Sequence, residues 1–310
     1  MSLKKTQKVN WMDMFPDEFY DAQNYCPVCY MAYGLAEPHG TYNALGIDWY
    51  NAQSLLEFAA KKHGGIVAPP FAWHIQEQPY YDWEMDCCGM GMSLSSSITE
   101  ELFLHNILHH IRNIDGKGFH AGILVSGHNV SDLDKDMNLL CEFYRRRTGS
   151  PVQLRAVYST DLVDDLGPEY DSHHAGITET CEFMVYKPEL VDLGRLNKPL
   201  NVPIKIAGEN ERFDTYCAPK NFGRDGRLPS SELGWILIDK KVKRLGEIKN
   251  ELLGRYEPVN DWKAPSIIDT EELWARFVFI TKRYWNCLLT KEEAKKGMSH
   301  EFPGWDALGE

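Results

Sequence analysis

From residue 26 onward, short apolar runs alternate with amphipathic stretches, and this alternation restricts the available folds more than any other feature of the chain. "CPVCYMAYGL" (26–35), "GIVAPPFAWHI" (65–75) and "AGILVSGHN" (121–129) are each too short for a buried helix and are bounded by Gly, Pro or Asn. They read as strands. Between and after them, "NAQSLLEFAAKKHGG", "SITEELFLHNILHHIRNIDGKGFH" and "DLDKDMNLLCEFYRRRTG" repeat apolar residues at helical spacing. Ser97 or Thr99 serves as a helix cap, and Gly64-Gly65 as a stop. The order βαβαβα predicts an α/β fold, because parallel neighbours need a crossover helix and a parallel sheet needs both faces covered. In such sheets ligands collect beyond the carboxyl ends of the strands.

The remainder of the chain extends this pattern. "PVQLRAVYST" (151–160) is a further β-rich run, followed by the polar loop "DLVDDLGPEYDSHHAG" and a helix over "ITETCEFMVY" closed by Pro188. Residues 197–230 are rich in Pro, Gly and Asn and predict loops and short strands. "SSELGWILIDKKVKRLGEIKNELLGRY" returns to helix. The reading is one domain over 1–255 with an aromatic-rich extension over 256–310, partly helical, that packs on the domain or on an oligomer neighbour.

A net charge of −12 excludes non-specific nucleic-acid and anionic-membrane binding, which need Lys and Arg to neutralise phosphates. A small molecule is the expected partner. No apolar run follows the early lysines and no segment reaches spanning length, so a cytoplasmic protein is expected. Its eight cysteines, scattered through a long chain, are expected to be reduced.

Cys26 and Cys29 form a CxxC, but no second pair follows at zinc-ribbon spacing, and they lie in a strand rather than at a helix start. Residues i and i+3 of a strand face opposite ways, so they read as packing. Glu37 and His39 differ. Two apart in an extended segment just past Gly34, they project from one face, and Asp48 follows a loop containing Gly40 and Gly46 that can return it to them. His128 ends the "LVSGHN" run, while Asp171, His173, His174 and Glu179 surround a Gly turn before a helix. Four groups of hard and borderline ligands at strand ends or loops are able to form a divalent metal site, mononuclear or binuclear.

Other features read as structural. His105 and His109, four apart on one helix, have a spacing able to bind zinc, but Leu102, Leu104, Ile107 and Leu108 around them read as a core or interface face. "DLDKDMN" resembles an EF-hand opening but has Met137 for the Gly and Phe143 for the bidentate Glu. The aromatic stretch over 73–83, with Trp73, His74, Tyr80, Tyr81 and Trp83, lines a pocket mouth or makes oligomer contacts.

Taken in order, these motifs resemble those of the creatininase (creatinine amidohydrolase) family. "GLAEPHGTYNALGID" is similar to its ExHG(x)nGxD signature, "GKGFHAGILVSGHN" to its GF(x)nVNGHxxN strand and turn, and "HHAGITETCEFMVYKPELVDL" to its HAGxxET segment. "GMGMSLSSSITEELFLHNIL" also resembles the family's Gly-Thr-x-Ser-Leu segment before a helix. The resemblance runs over roughly residues 20–250. It implies a three-layer αβα sandwich around a largely parallel sheet, one or two Zn or Mn ions per chain, a homo-oligomer, often a hexamer, and hydrolysis of a carbon–nitrogen bond in a small cyclic or linear amide.

Carried over by position, Glu37, His39, Asp48 and His128 match metal ligands, with Asp48 bridging in two-metal members. Glu179 matches a ligand or catalytic carboxylate and His174 a substrate-side histidine. Tyr170 and Asp171 stand where creatininase has a Trp-Asp pair lining the pocket, and Asn129 and Trp73 join them as expected substrate contacts. The chain departs from the family at Asn129 and Val130, where creatininase has Tyr and a metal-binding Glu, at Ser126 for the usual Asn, and at Pro38 for the usual Gln. Val130 cannot coordinate metal, so either Glu179 completes a second site or that site is weak. The substrate is therefore expected not to be creatinine. Deformylation, opening of an oxidised cyclitol or keto-sugar, and a metal-stabilised oligomeric binding protein without catalysis are the alternatives.

Overall fold

The computed structural model describes residues 8–75, 94–130, 133–163, 174–196 and 228–281. Four strands, β1 (Val28–Tyr33), β2 (Ile66–Val67), β3 (Ala121–Ser126) and β4 (Gln153–Tyr158), form one sheet in the order β2-β1-β3-β4. Every pairing is parallel, with Val28 opposite Ala121 and Ala121 opposite Gln153. β2 is far shorter than the run "GIVAPPFAWHI" predicts. Pro69 and Pro70 follow after Ala68, and a prolyl nitrogen cannot donate to a ladder, so regular pairing ends there and only an isolated bridge between Tyr33 and Phe71 lies beyond.

Seven helices accompany the sheet among the described residues: α1 (Pro16–Tyr25), α2 (Ile47–His63), α3 (Glu100–Gly116), α4 (Leu133–Thr148), α5 (Ile177–Tyr186), α6 (Ser231–Gly254) and α7 (Ile267–Thr281). Thr99, rather than Ser97, caps α3 by accepting from the Leu102 amide. Strand residues alternate between two cores, as period-2 geometry requires. Cys29, Met31, Tyr33 and Leu124 pack with α3, α4 and α7 on one face; Val28, Tyr30, Ala32, Ile123 and Val125 pack with α2 and α6 on the other. Cys26 and Cys29 fall in opposite clusters, both buried and free.

The connections explain where a site forms. The chain leaves β1 through α2 to reach β2 on one side, then crosses by α3 to β3 on the other side of β1, and continues by α4 to β4. Right-handed crossovers running in opposite directions place α2 and α3/α4 on opposite faces. The strand order therefore reverses between β1 and β3, and a crevice opens beyond their carboxyl ends.

α7 belongs to the same body. Trp274 and Phe277 are buried in the cluster of α3 and α4, and the Phe277 ring meets Phe143 edge-on at 5.3 Å. On α3, Leu104, Ile107 and Leu108 are buried as expected, whereas Leu102 is half exposed, which sets the limit of the core-facing stripe. Removing the Phe277 ring should leave a cavity, so Phe277→Ala is expected to lower unfolding free energy by about 3–5 kcal/mol in urea titration. A loss below about 1 kcal/mol would show that α7 is not docked.

Candidate metal centre

Glycine creates the approach on which the centre depends. A Cβ on Gly34, just past β1, would lie 2.6 Å from the Trp49 backbone nitrogen, and one on Gly127, just past β3, would strike the Asp48 carbonyl. Without those carbons the first turn of α2 rests directly on both strand ends. Asp48 occupies that turn, where the positive end of the helix favours a carboxylate. It enters the crevice between the segments that follow β1 and β3.

Four other ligand-type side chains converge on it. Asp48 Oδ1 lies 2.8 Å from His39 Nε2, and Oδ2 lies 3.1 Å from His128 Nδ1. Glu37 Oε2 is 3.4 Å from the same His128 nitrogen, and Glu179 Oε2 is 3.8 Å from His39 Nε2. These atoms form two ligand triads, Glu37–Asp48–His128 and His39–Asp48–Glu179, each within 4.8 Å. Asp48 is common to both and turns one oxygen to each. Glu37, His39, Asp48 and His128 are buried, while the Glu179 side chain is 24 % exposed. Glu179 is thus the one of the five whose side chain is partly exposed.

Local hydrogen bonds orient these ligands. His39 Nδ1 donates to the Glu37 carbonyl at 3.0 Å, which leaves Nε2 to face the carboxylates, the orientation a metal-ligating histidine needs. Glu179 is carried in the first turn of α5, whose entry Tyr42 fixes by donating to the Ala175 carbonyl. Ala175 has φ +57°, a left-handed conformation uncommon for alanine, and the reversal puts His174 and Glu179 beside the cluster. His174 Nε2 donates to the Pro38 carbonyl at 2.7 Å, and its ring packs on His39 at 4.1 Å. Its Nδ1 lies 3.8 Å from Glu37.

His74, read from sequence as lining a pocket mouth or making an oligomer contact, instead lies buried beside His128. It is fully buried, its ring meets His128 edge-on at 5.1 Å, and its Nε2 lies 3.1 Å from Ser126 Oγ. Ser126 in turn donates to the His128 carbonyl and accepts from the His128 amide. His128, a candidate ligand, is therefore held through a serine and a second histidine. The only sequence signal is the serine itself at the strand end.

The other expected site residues lie elsewhere. Asn129 gives its amide to Thr160 at 2.9 Å, away from the ligand triads. Trp73 is half exposed beside His74. Val130 is buried in the apolar cluster on the α3/α4 face. Tyr170, Asp171 and His173, and the aromatic stretch beyond residue 75, lie outside the described residues.

Electrostatics favour positive charge within the cluster. Burial alone would lower the His39 pKa, but Asp48, Glu179 and Glu37 outweigh it and raise it to about 10. Burial likewise opposes protonation of His128, yet Glu37 and Asp48 raise it. Burial, with Asp48 and Glu37 nearby, raises Glu179 to about 7 against the pull of His39. Burial and the His39 charge hold His174 down at about 3. Three close carboxylates demand positive charge, which protons on His39 and His128 supply when no cation does. The buried Glu179 Oε2, without a hydrogen-bond partner, and the mixed imidazole–carboxylate donor set fit a divalent ion of zinc or manganese type.

The family description "Creatininase: Creatinine amidohydrolase" matches residues 12–248. The chain belongs to the creatininase family. Solved structures agree on the fold. A mutant creatininase of "Zn-Zn type" is 19 % identical with TM-score 0.61 over 82 % of this chain and all of its own. "Creatininase Mn" is 18 % identical with TM-score 0.60 over 81 % of this chain and all of its own. A putative creatinine amidohydrolase from Bacteroides fragilis is 17 % identical with TM-score 0.52, covering 80 % of this chain and 97 % of its own. No curated protein matches the chain. The creatininase signature positions of this sequence, Glu37, His39, Asp48, His128 and Glu179, are those that meet in the crevice.

Two outcomes follow from this geometry. A histidine whose folded pKa is raised stabilises the fold fully below its ordinary 6.5 and loses that contribution as pH rises through about 10. Ionised Glu179 adds a cost that is complete above about 7. The metal-free protein should therefore lose thermal stability between pH 7 and 10, and the increase in Tm produced by Zn or Mn should grow over that interval; a constant or shrinking increase contradicts the assignment. Ser126→Ala, which frees the His128 backbone, should weaken metal affinity by about 10- to 100-fold, measured by competition with a chromophoric chelator.

Proposed function

We propose that this protein is a divalent-metal-dependent amidohydrolase that cleaves a carbon–nitrogen bond in a small cyclic or linear amide, using two ions that share Asp48. The observation that carries this reading is the pair of ligand triads meeting on one buried carboxylate, in a chain of the creatininase family. Glu37, Asp48 and His128 would hold one ion, and His39, Asp48 and Glu179 would hold the other. Divalent ions in such a site polarise a carbonyl and lower the pKa of water toward neutrality.

The chain's own groups then orient the reaction and move protons. Glu179, as a ligand of the second ion, would be ionised and orient that ion, which leaves proton transfer to the neutral His174 beside it. His174 is fixed by its bond to the Pro38 carbonyl and kept neutral by burial and His39. Its ring beside His39 forms a wall of the site that accepts rather than repels a cationic or proton-donating substrate group. Val130 favours a substrate other than creatinine, because an apolar side chain stands where creatininase has a ligand carboxylate.

Screening cyclic amides, formamides and keto-cyclitols against the Zn- or Mn-loaded protein tests this. His39→Ala should lose both metal and turnover. Glu179→Gln should weaken binding of the second ion and lower kcat with it, by about 10²-fold or more. Hydrolysis that survives in His39→Ala at wild-type rate would overturn the proposal.

A further inference from the structure

Away from the crevice, α3 and α7 bring together a second set of metal-type ligands. His105 and His109 stand one turn apart on α3, and both turn Nε2 onto Glu271 of α7. His105 Nε2 lies 3.2 Å from Glu271 Oε1 and 3.1 Å from Oε2, and His109 Nε2 lies 2.7 Å from Oε1. All three offer ligand atoms within 4.8 Å of one another. Trp274, one turn beyond Glu271 on α7, stacks on the His105 ring at 4.7 Å with 8° between planes. That stack fixes the imidazole plane and covers one of its faces. The two histidine side chains are 25 % and 29 % exposed, and Glu271 is 49 % exposed, so an ion can enter from solvent.

We propose that His105, His109 and Glu271 form a zinc-type site that clasps α7 to the family domain. The donor set, two imidazoles and one carboxylate, suits a borderline divalent ion such as Zn²⁺, with remaining positions open to water. The dimensions fit. Zinc bonds of about 2.0–2.2 Å at tetrahedral angles separate neighbouring ligand atoms by about 3.3 Å, close to the distances present, and half-exposed Glu271 has room to open the rest. Each imidazole would bind through the Nε2 lone pair as the neutral tautomer protonated at Nδ1, so the ion would take the place of the Nε2–H contacts to Glu271 while leaving the helices in place. Residues 12–248 carry the family match and α7 lies beyond them. The site therefore ties a segment outside the matched region to α3, independently of the crevice and its chemistry.

Equilibrium dialysis against Zn²⁺ of the full chain and of His109→Asn and Glu271→Gln tests this. Wild type should hold one more zinc per chain than either variant, and zinc in excess of the crevice ions should raise its Tm but not theirs. Both variants should keep wild-type zinc in the crevice. Glu271→Gln, a conservative change at an exposed position, separates loss of a ligand from loss of fold. Equal zinc content in all three proteins, or the same zinc-dependent Tm shift in all three, would overturn the proposal and leave the cluster a hydrogen-bonded contact.

Discussion

The structure is organised around one buried carboxylate. Asp48 lies between two histidines and near two further carboxylates, in a place where an uncompensated charge costs several kcal/mol (about 3–5 when a partner is removed). Its position follows from backbone, not from its own side chain. Gly34 and Gly127 let the first turn of α2 touch the ends of β1 and β3, and the reversal of strand order between those strands opens the space it enters. His39 and His128 meet its two oxygens and balance its charge, whereas Glu37 and Glu179 complete two triads and add negative charge of their own. The same negative density that raises the histidine pKa values would favour a bound divalent cation.

Much of this is legible in the sequence because it rests on local signals. The strand and helix order follows from period and from stops such as Gly64-Gly65, and the parallel sheet follows from that order. Glu37 and His39 can be paired because extended residues two apart share a face, and His128 because it ends a strand. Apolar content overstates the length of β2, since it outweighs the two prolines that end its ladder. His74 reads as part of a pocket mouth with its aromatic neighbours, yet it is buried against His128 through contacts with Ser126, 52 residues away. No local pattern encodes such a partner.

The surface cluster on α3 and α7 illustrates the same limit. His105 and His109 carry a zinc-binding spacing in sequence, but their neighbours give a core reading, which is correct for Leu104, Ile107 and Leu108. What sequence lacks is Glu271, 162 residues from His109 on a helix whose docking depends on Trp274 and Phe277. Helix periodicity finds faces, whereas the partner of a face is set by tertiary packing.

The reading of this centre stands or falls on one carboxylate serving two ions. Anomalous difference maps from crystals of the zinc-loaded protein address it directly. Two peaks are expected in the crevice, one beside each Asp48 oxygen, flanked respectively by His39 with Glu179 and by His128 with Glu37. A single peak, or peaks that do not touch Asp48, would show that the carboxylate does not bridge.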